Sequence, residues 1–146
     1  MDKTERSIAS NLLYSGRILN LRVDEVALPS GVQTKREVVE HRDASAVLAA
    51  DAYGLLLFVS QYRYAAGAEL LEIPAGLVED GENPADTAVR ELQEECGCKP
   101  GKLEKIASFY CSPGFSTEKL HVYFASDLVK SKLPEDEDEL IEVVRL

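Results

Sequence analysis

Residues 76–98 read G-L-V-E-D-G-E-N-P-A-D-T-A-V-R-E-L-Q-E-E-C-G-C, a loop followed by a capped helix. Asn83 is a good N-cap, Pro84 suits the first helical position, and Asp86 stands where a capping box would reach back to the cap. Gly97 is the stop signal. At about 100° per residue, Ala85, Ala88, Val89, Leu92 and Cys96 share one apolar face, which requires a core to pack on. Glu91, Glu94 and Glu95 fall on a different, exposed face as i, i+3 and i+4 neighbours. Like charges at these spacings repel by a few tenths of a kcal/mol per pair, roughly, and Arg90 offsets part of that. A hard cation such as Mg²⁺ or Mn²⁺, which prefers carboxylate oxygens, would remove the conflict. The competing reading of such a helix is a solvated acidic face.

The spacing decides between the two. It resembles the Nudix box, G-x5-E-x7-R-E-U-x-E-E-x-G-U with U aliphatic. Gly76, Glu82, Arg90, Glu91, Leu92, Glu94, Glu95 and Gly97 fill the fixed positions, and Cys98 stands at the last U. A pattern this long is far more specific than a short glycine motif. The resemblance implies an α+β protein, a Nudix-type α/β/α sandwich with a mixed sheet, here preceded by an N-terminal antiparallel β hairpin. It divides the chain into an N-terminal hairpin region at 1–43, expected to serve dimerisation and substrate contacts, and a Nudix hydrolase domain at 44–146. Nudix domains usually close with a helix after the strand that ends here at Leu146, so that helix is expected to be missing.

Outward from the box, the patterning is mostly that of strands. Leu19, Leu21 and Val23 alternate with Asn20, Arg22 and Asp24, Pro29-Ser30-Gly31 marks a turn, and Thr34–His41 returns. Residues 46–50 and 55–62 are apolar runs joined by a turn at Asp51–Gly54, and 69–74 is a short strand leading into the box. After the helix, residues 103–111, 120–126 and 140–146 read as strands, the last preceded by an acidic run at 134–139. No repeat is present, and His41 and His121 sit in strand patterns as structural residues.

Charge and composition narrow the class. The 146 residues suit one domain. The formal net charge of −10 is local: residues 69–95 hold nine acids against Arg90, and residues 135–139 are five consecutive acids. Residues 1–44 balance seven acids with seven bases. Concentrated acidity suits a cation site and argues against nucleic-acid binding. No run has the length of a membrane span, and the first residues lack the apolar core of a secretion signal. Cys96, Cys98 and Cys111 form neither a zinc nor a disulfide pattern, so a reduced cytoplasm is expected. The amphipathic N-terminal hairpin, marginal alone, points to a homodimer.

Several flanking pieces resemble the ADP-ribose pyrophosphatase branch: residues 36–41, 61–64, 71–76, 112–118 and 134–144. Members often carry Arg where this chain has Ser60. That resemblance implies Mg²⁺-dependent hydrolysis of ADP-ribose to AMP and ribose 5-phosphate, with Mn²⁺ as a substitute ion. Glu91 and Glu95 are the implied metal ligands with the Ala75 carbonyl, and Glu94 bridges or supports them. Gly76 permits close backbone approach, Glu82 and Arg90 hold the glutamates in place, and Gly97 ends the helix. The implied general base is Glu137, Glu139 or Glu135, with Glu94 as the fallback. Arg36, Glu37, Arg63, Glu79, Gly114 and Glu118 are the implied substrate contacts. Two rivals stand beside this reading: a pyrophosphatase for an ADP-sugar or dinucleotide, and a Nudix-fold ligand sensor without turnover.

Overall fold

The computed structural model describes residues 2–134 and 140–146. Two units divide the chain: Met1–Asp43 with Tyr110–Lys119, and Ala44–Phe109 with Leu120–Leu146.

In the first unit, β1 (Arg6–Ser15), β2 (Leu19–Ala27) and β3 (Gln33–His41) form an antiparallel sheet in the order β1-β2-β3. Sequence patterning gave only the β2–β3 hairpin. The third strand escaped it because β1 has register shifts between Ser7 and Ala9 and between Leu12 and Tyr14. Each such bulge moves the side-chain alternation out of phase. The turn after β2 closes through Gly31, at φ 87°, whose N–H donates to the Leu28 carbonyl at 2.9 Å. All ten β1 residues are exposed, including Ile8, Leu12, Leu13 and Tyr14. The loop from Cys111 to Glu118 is sewn to β3. The Val39 N–H donates to the Phe115 carbonyl at 2.7 Å, and the Thr117 hydroxyl accepts from the His41 N–H at 2.9 Å.

The second unit is built on β4 (Ala44–Ala50), whose small apolar residues are almost wholly buried. One edge of β4 carries two antiparallel partners. β5 (Leu56–Arg63) pairs at Ala49 and Ala50, while the short β7 (Ala75–Leu77) pairs at Ala44, Ser45 and Ala46. Between β5 and β7, β6 (Ala68–Glu72) turns back along β5. The other edge of β4 takes β10 (Lys119–Ser126) in parallel, with β9 (Lys102–Tyr110) beyond it. β12 (Glu142–Arg145) flanks β5 in antiparallel, and the parallel β4–β10 pair makes the sheet mixed. A separate pair joins β8 (Cys98–Lys99) and β11 (Val129–Lys130).

The one α-helix among the described residues, α1 (Pro84–Cys96), lies on this sheet. Ala88 and Leu92, both 0% exposed, pack with Val47, Ala49, Leu57, Tyr123 and Ala125, and Ala85 and Cys96 flank them. Burying one such leucine stabilises the fold by about 1.5–3 kcal/mol. The Asn83 side chain caps the helix by accepting from the Ala85 and Asp86 N–H groups at 2.9 and 3.1 Å. Asp86 reaches back to the amide side chain of Asn83, where sequence patterning placed it on the cap backbone. Gly97 ends the helix in the left-handed conformation, at φ 68°. No helix among the described residues is long and apolar enough to cross a membrane.

Candidate active site

The site is made where β7 passes beneath α1. Pairing with β4 fixes Ala75 and Gly76, and the Val47 N–H extends that edge by donating to the Pro74 carbonyl at 2.8 Å. From above, the buried hydroxyl of Ser45 donates to the Pro84 carbonyl at 2.7 Å, tying β4 to the first residue of the helix. The start of the box and the start of its helix are therefore held to one strand.

Gly76 is where the backbone needs its glycine for space. A Cβ there would stand 1.9 Å from Oε1 of Glu91 and 2.1 Å from its carboxyl carbon. The missing side chain is the slot in which the Glu91 carboxylate lies. Beside it, the Ala75 N–H donates to Oε2 of Glu95 at 3.0 Å. Glu91 and Glu95 are 8% and 6% exposed, which corrects the sequence expectation of a solvent-facing carboxylate cluster. Facing β7 across a gap without a side chain, this side of the helix is interior. Glu94 is half-buried.

Arg90 organises the cluster. Its Nε and Nη2 donate to Oε1 and Oε2 of Glu82, both at 3.1 Å. Nη1 donates to Glu94 at 2.8 Å and is ion-paired with Glu91 at 2.7 Å, while Nη2 also donates to the Leu77 carbonyl at 3.1 Å. Four hydrogen bonds and one ion pair thus tie the guanidinium to the cluster, so Arg90 holds its neighbours. Burial opposes charge on Arg90, but its hydrogen bonds to Glu82 and the charges of Glu91 and Glu82 raise its pKa further above the ordinary value. Glu82 shows the reverse: its hydrogen bonds with Arg90 come first, and with help from Thr87 its carboxyl is lowered to about 2.

The donor chemistry fits a hard divalent cation. The donor atoms gathered here are carboxylate oxygens, two of the carboxylates are buried, and one occupies a slot that a Cβ would fill. Glu82, Glu91, Glu94 and Glu95 stand against a single guanidinium, a net of −3 in one small region. Among the described residues no three acidic, His or Cys side chains are gathered as a cation cage. Glu91 and Glu94 turn to Arg90, and Glu95 turns to Ala75.

The remaining candidates are placed in separate groups. Arg63 makes two hydrogen bonds to Glu72 across the β5–β6 pair, at 2.9 and 2.7 Å. Glu79 is exposed, and its N–H donates to Glu82 at 3.2 Å. In the other unit, Arg36 is ion-paired with Glu5 at 2.7 Å and Glu37 is exposed on β3. Gly114 and Glu118 lie on the loop sewn to β3, with Glu118 3.9 Å from His41. Glu135, Glu137 and Glu139 lie outside the described residues. Reading the sequence missed Thr87 and Glu72. For Thr87 a signal existed, because i and i+3 place it beside Arg90 on the helix surface.

A buried acid cluster clamped by its own arginine, on a helix over a mixed sheet, defines the site of a Nudix hydrolase. The chain belongs to the NUDIX domain family, which matches residues 39–146, and residues 5–39 match the nucleoside diphosphate sugar hydrolase N-terminal domain. It is 44% identical to the ADP-ribose pyrophosphatase of Bacillus subtilis (strain 168), over 97% of this chain and 78% of that protein. It is 42% identical to the methanol dehydrogenase activator of Bacillus methanolicus, with the same coverage. A crystal structure of an ADP compounds hydrolase shares the fold, with a TM-score of 0.88 at 22% identity over 98% of this chain and 78% of that one.

Proposed function

We propose that this Nudix hydrolase cleaves the diphosphate linkage of ADP-ribose, giving AMP and ribose 5-phosphate, with Mg²⁺ as the activating ion. The Arg90 cluster carries the reading: one cation holds three carboxylates, and the buried Glu95 stands beside them next to a backbone opened by Gly76. The similarity to an ADP-ribose pyrophosphatase over nearly the whole chain supports the substrate. Glu91, Glu95, Glu94 and the Ala75 carbonyl are the groups that would hold the ion. Bound there, a divalent ion neutralises the diphosphate, acidifies water and stabilises the leaving phosphate, and Mn²⁺ is a suitable substitute.

The protein's own groups have separate tasks. Gly76 leaves room for the Glu91 carboxylate, the Ala75 N–H orients Glu95, and Arg90 with Glu82 fixes the cluster. We assign the general base to the acidic run, Glu137 first, then Glu139 and Glu135, with Glu94 next. Arg36, Glu37, Arg63, Glu79, Gly114 and Glu118 are our substrate contacts. For Arg63, that role requires it to contact the substrate from its pair with Glu72. We further propose a homodimer joined through residues 1–43, for which the exposed apolar side chains of β1 are the support, and a hydrolase domain at 44–146. The three free cysteines support a reducing, cytoplasmic setting, and the local acidity supports small-molecule rather than nucleic-acid partners.

AMP release by the purified protein in Mg²⁺ tests this across ADP-ribose, ADP-glucose, NADH, diadenosine polyphosphates and deoxynucleoside triphosphates. ADP-ribose is expected to have the highest kcat/KM. The match of residues 5–39 to a nucleoside diphosphate sugar hydrolase domain favours a second reading, in which ADP-glucose leads. Turnover of none of them would leave a ligand sensor.

A further inference from the structure

We propose that Thr87 is a positioning residue of the hydrolytic site, acting on Arg90 through Glu82. The inference rests on the Nudix reading of the cluster. Thr87 is 0% exposed and lies in the first turn of α1. A helical threonine ordinarily satisfies its hydroxyl on the carbonyl four residues back. Here that carbonyl, of Asn83, is 3.3 Å away, and the nearer partner is Oε2 of Glu82 at 2.7 Å. The bond runs from a neutral hydroxyl to a half-buried, charged carboxylate, the stronger kind.

Glu82 precedes the helix, so α1 does not by itself fix the direction of its side chain. Its carboxylate is set by four contacts: Thr87 at 2.7 Å, the Glu79 N–H at 3.2 Å, and two Arg90 nitrogens at 3.1 Å each. Thr87 makes the shortest. Because Nε and Nη2 of Arg90 both donate to Glu82, Glu82 cannot swing away without freeing Nε and part of Nη2. A freed guanidinium would rotate and take Nη1 away from Glu91 and Glu94. One hydroxyl thus sits at the start of a chain of contacts that ends on the carboxylates at the metal position. Ala75, Gly76 and Glu95 are held by other bonds and stand outside this chain.

Two substitutions separate positioning from packing. T87V keeps the shape and loses the hydroxyl, while T87S keeps the hydroxyl and loses the methyl group. In T87V, kcat is expected to fall about tenfold, with the substrate KM within about twofold of wild type. Binding of Mn²⁺ alone, read from the free-ion electron paramagnetic resonance signal without substrate, is expected to weaken by about fivefold to tenfold. T87S is expected to restore both. If T87V binds Mn²⁺ as tightly as wild type, or if T87S carries the larger deficit, Thr87 is a packing residue and the proposal is overturned. Should T87V fail to fold, T87A takes its place in the same measurements. Failure of the hydrolase reading would appear differently, as a wild-type protein with no turnover, and the Mn²⁺ comparison would still decide the role of Thr87.

Discussion

Replacing Gly76 by alanine puts one methyl group into the slot that holds Glu91. The new Cβ would stand 1.9 Å from Oε1, whereas ordinary contact begins at 3.4 Å, so the carboxylate must retreat by roughly 1.5 Å. Its 2.7 Å ion pair with Arg90 would open or re-form elsewhere. The backbone itself accepts alanine, because Gly76 is absent from the residues with positive φ. Its pairing with Ser45 in β4 is unaffected. Glu91 gives way at the end of a flexible side chain, so stability is expected to stay within about 1 kcal/mol of wild type. Function has no such freedom, since a misplacement of about 1 Å at a reacting centre costs on the order of 10²-fold. G76A is therefore expected to lose about two orders of magnitude in kcat for ADP-ribose, with a raised Mg²⁺ requirement and a nearly unchanged Tm. Initial-rate assays over a Mg²⁺ titration, beside thermal melts, make the measurement. A variant within tenfold of wild type, with an unshifted Mg²⁺ requirement, would refute the slot as a determinant of the site.

Two further predictions concern acids inside and beyond the box. The carboxyl of Glu82 is lowered from 4.5 to about 2 by Arg90 first, so its stabilising effect is full above pH 4.5 and fades as the pH falls through 2. The shift corresponds to at most about 3 kcal/mol, reduced by partial solvent screening. Urea unfolding should therefore show wild type more stable than E82Q at pH 7, with the gap closing between pH 4.5 and 2. A gap independent of pH would contradict the pairing. Glu137→Gln, measured beside Glu135→Gln and Glu139→Gln, should lower kcat by roughly 10²–10⁴-fold with little change in KM. Near-normal kcat in all three would move the base to Glu94.

The helix, its caps and its core face were legible in the sequence because each signal is local. Asn83, Pro84 and Gly97 mark its ends by side-chain and backbone geometry alone, and the apolar spacing of Ala88 and Leu92 finds the core. The burial of Glu91 and Glu95 was not legible. It depends on β7, three residues long, passing beneath the helix with a glycine at the crossing. A strand that short has no period to read, and the same holds for the two-residue β8 and β11. β1 was hidden for another reason: its bulges break the alternation, and none of its ten residues is buried. The pairing of Arg63 with Glu72 was equally out of reach, because it follows from the register of β5 against β6. At sequence level both remain charged residues nine positions apart.

The most direct test of the account is Glu95→Gln. Glu95 is 6% exposed and accepts the Ala75 N–H, a bond that the amide oxygen of glutamine can also accept, so the fold should survive. What glutamine lacks is the negative charge for a divalent ion. With saturating Mg²⁺ and ADP-ribose, E95Q is expected to release AMP at least about 10²-fold more slowly than wild type, with an unfolding midpoint close to it. A variant that keeps more than about a tenth of the wild-type rate would show that Glu95 does not hold the ion on which hydrolysis depends.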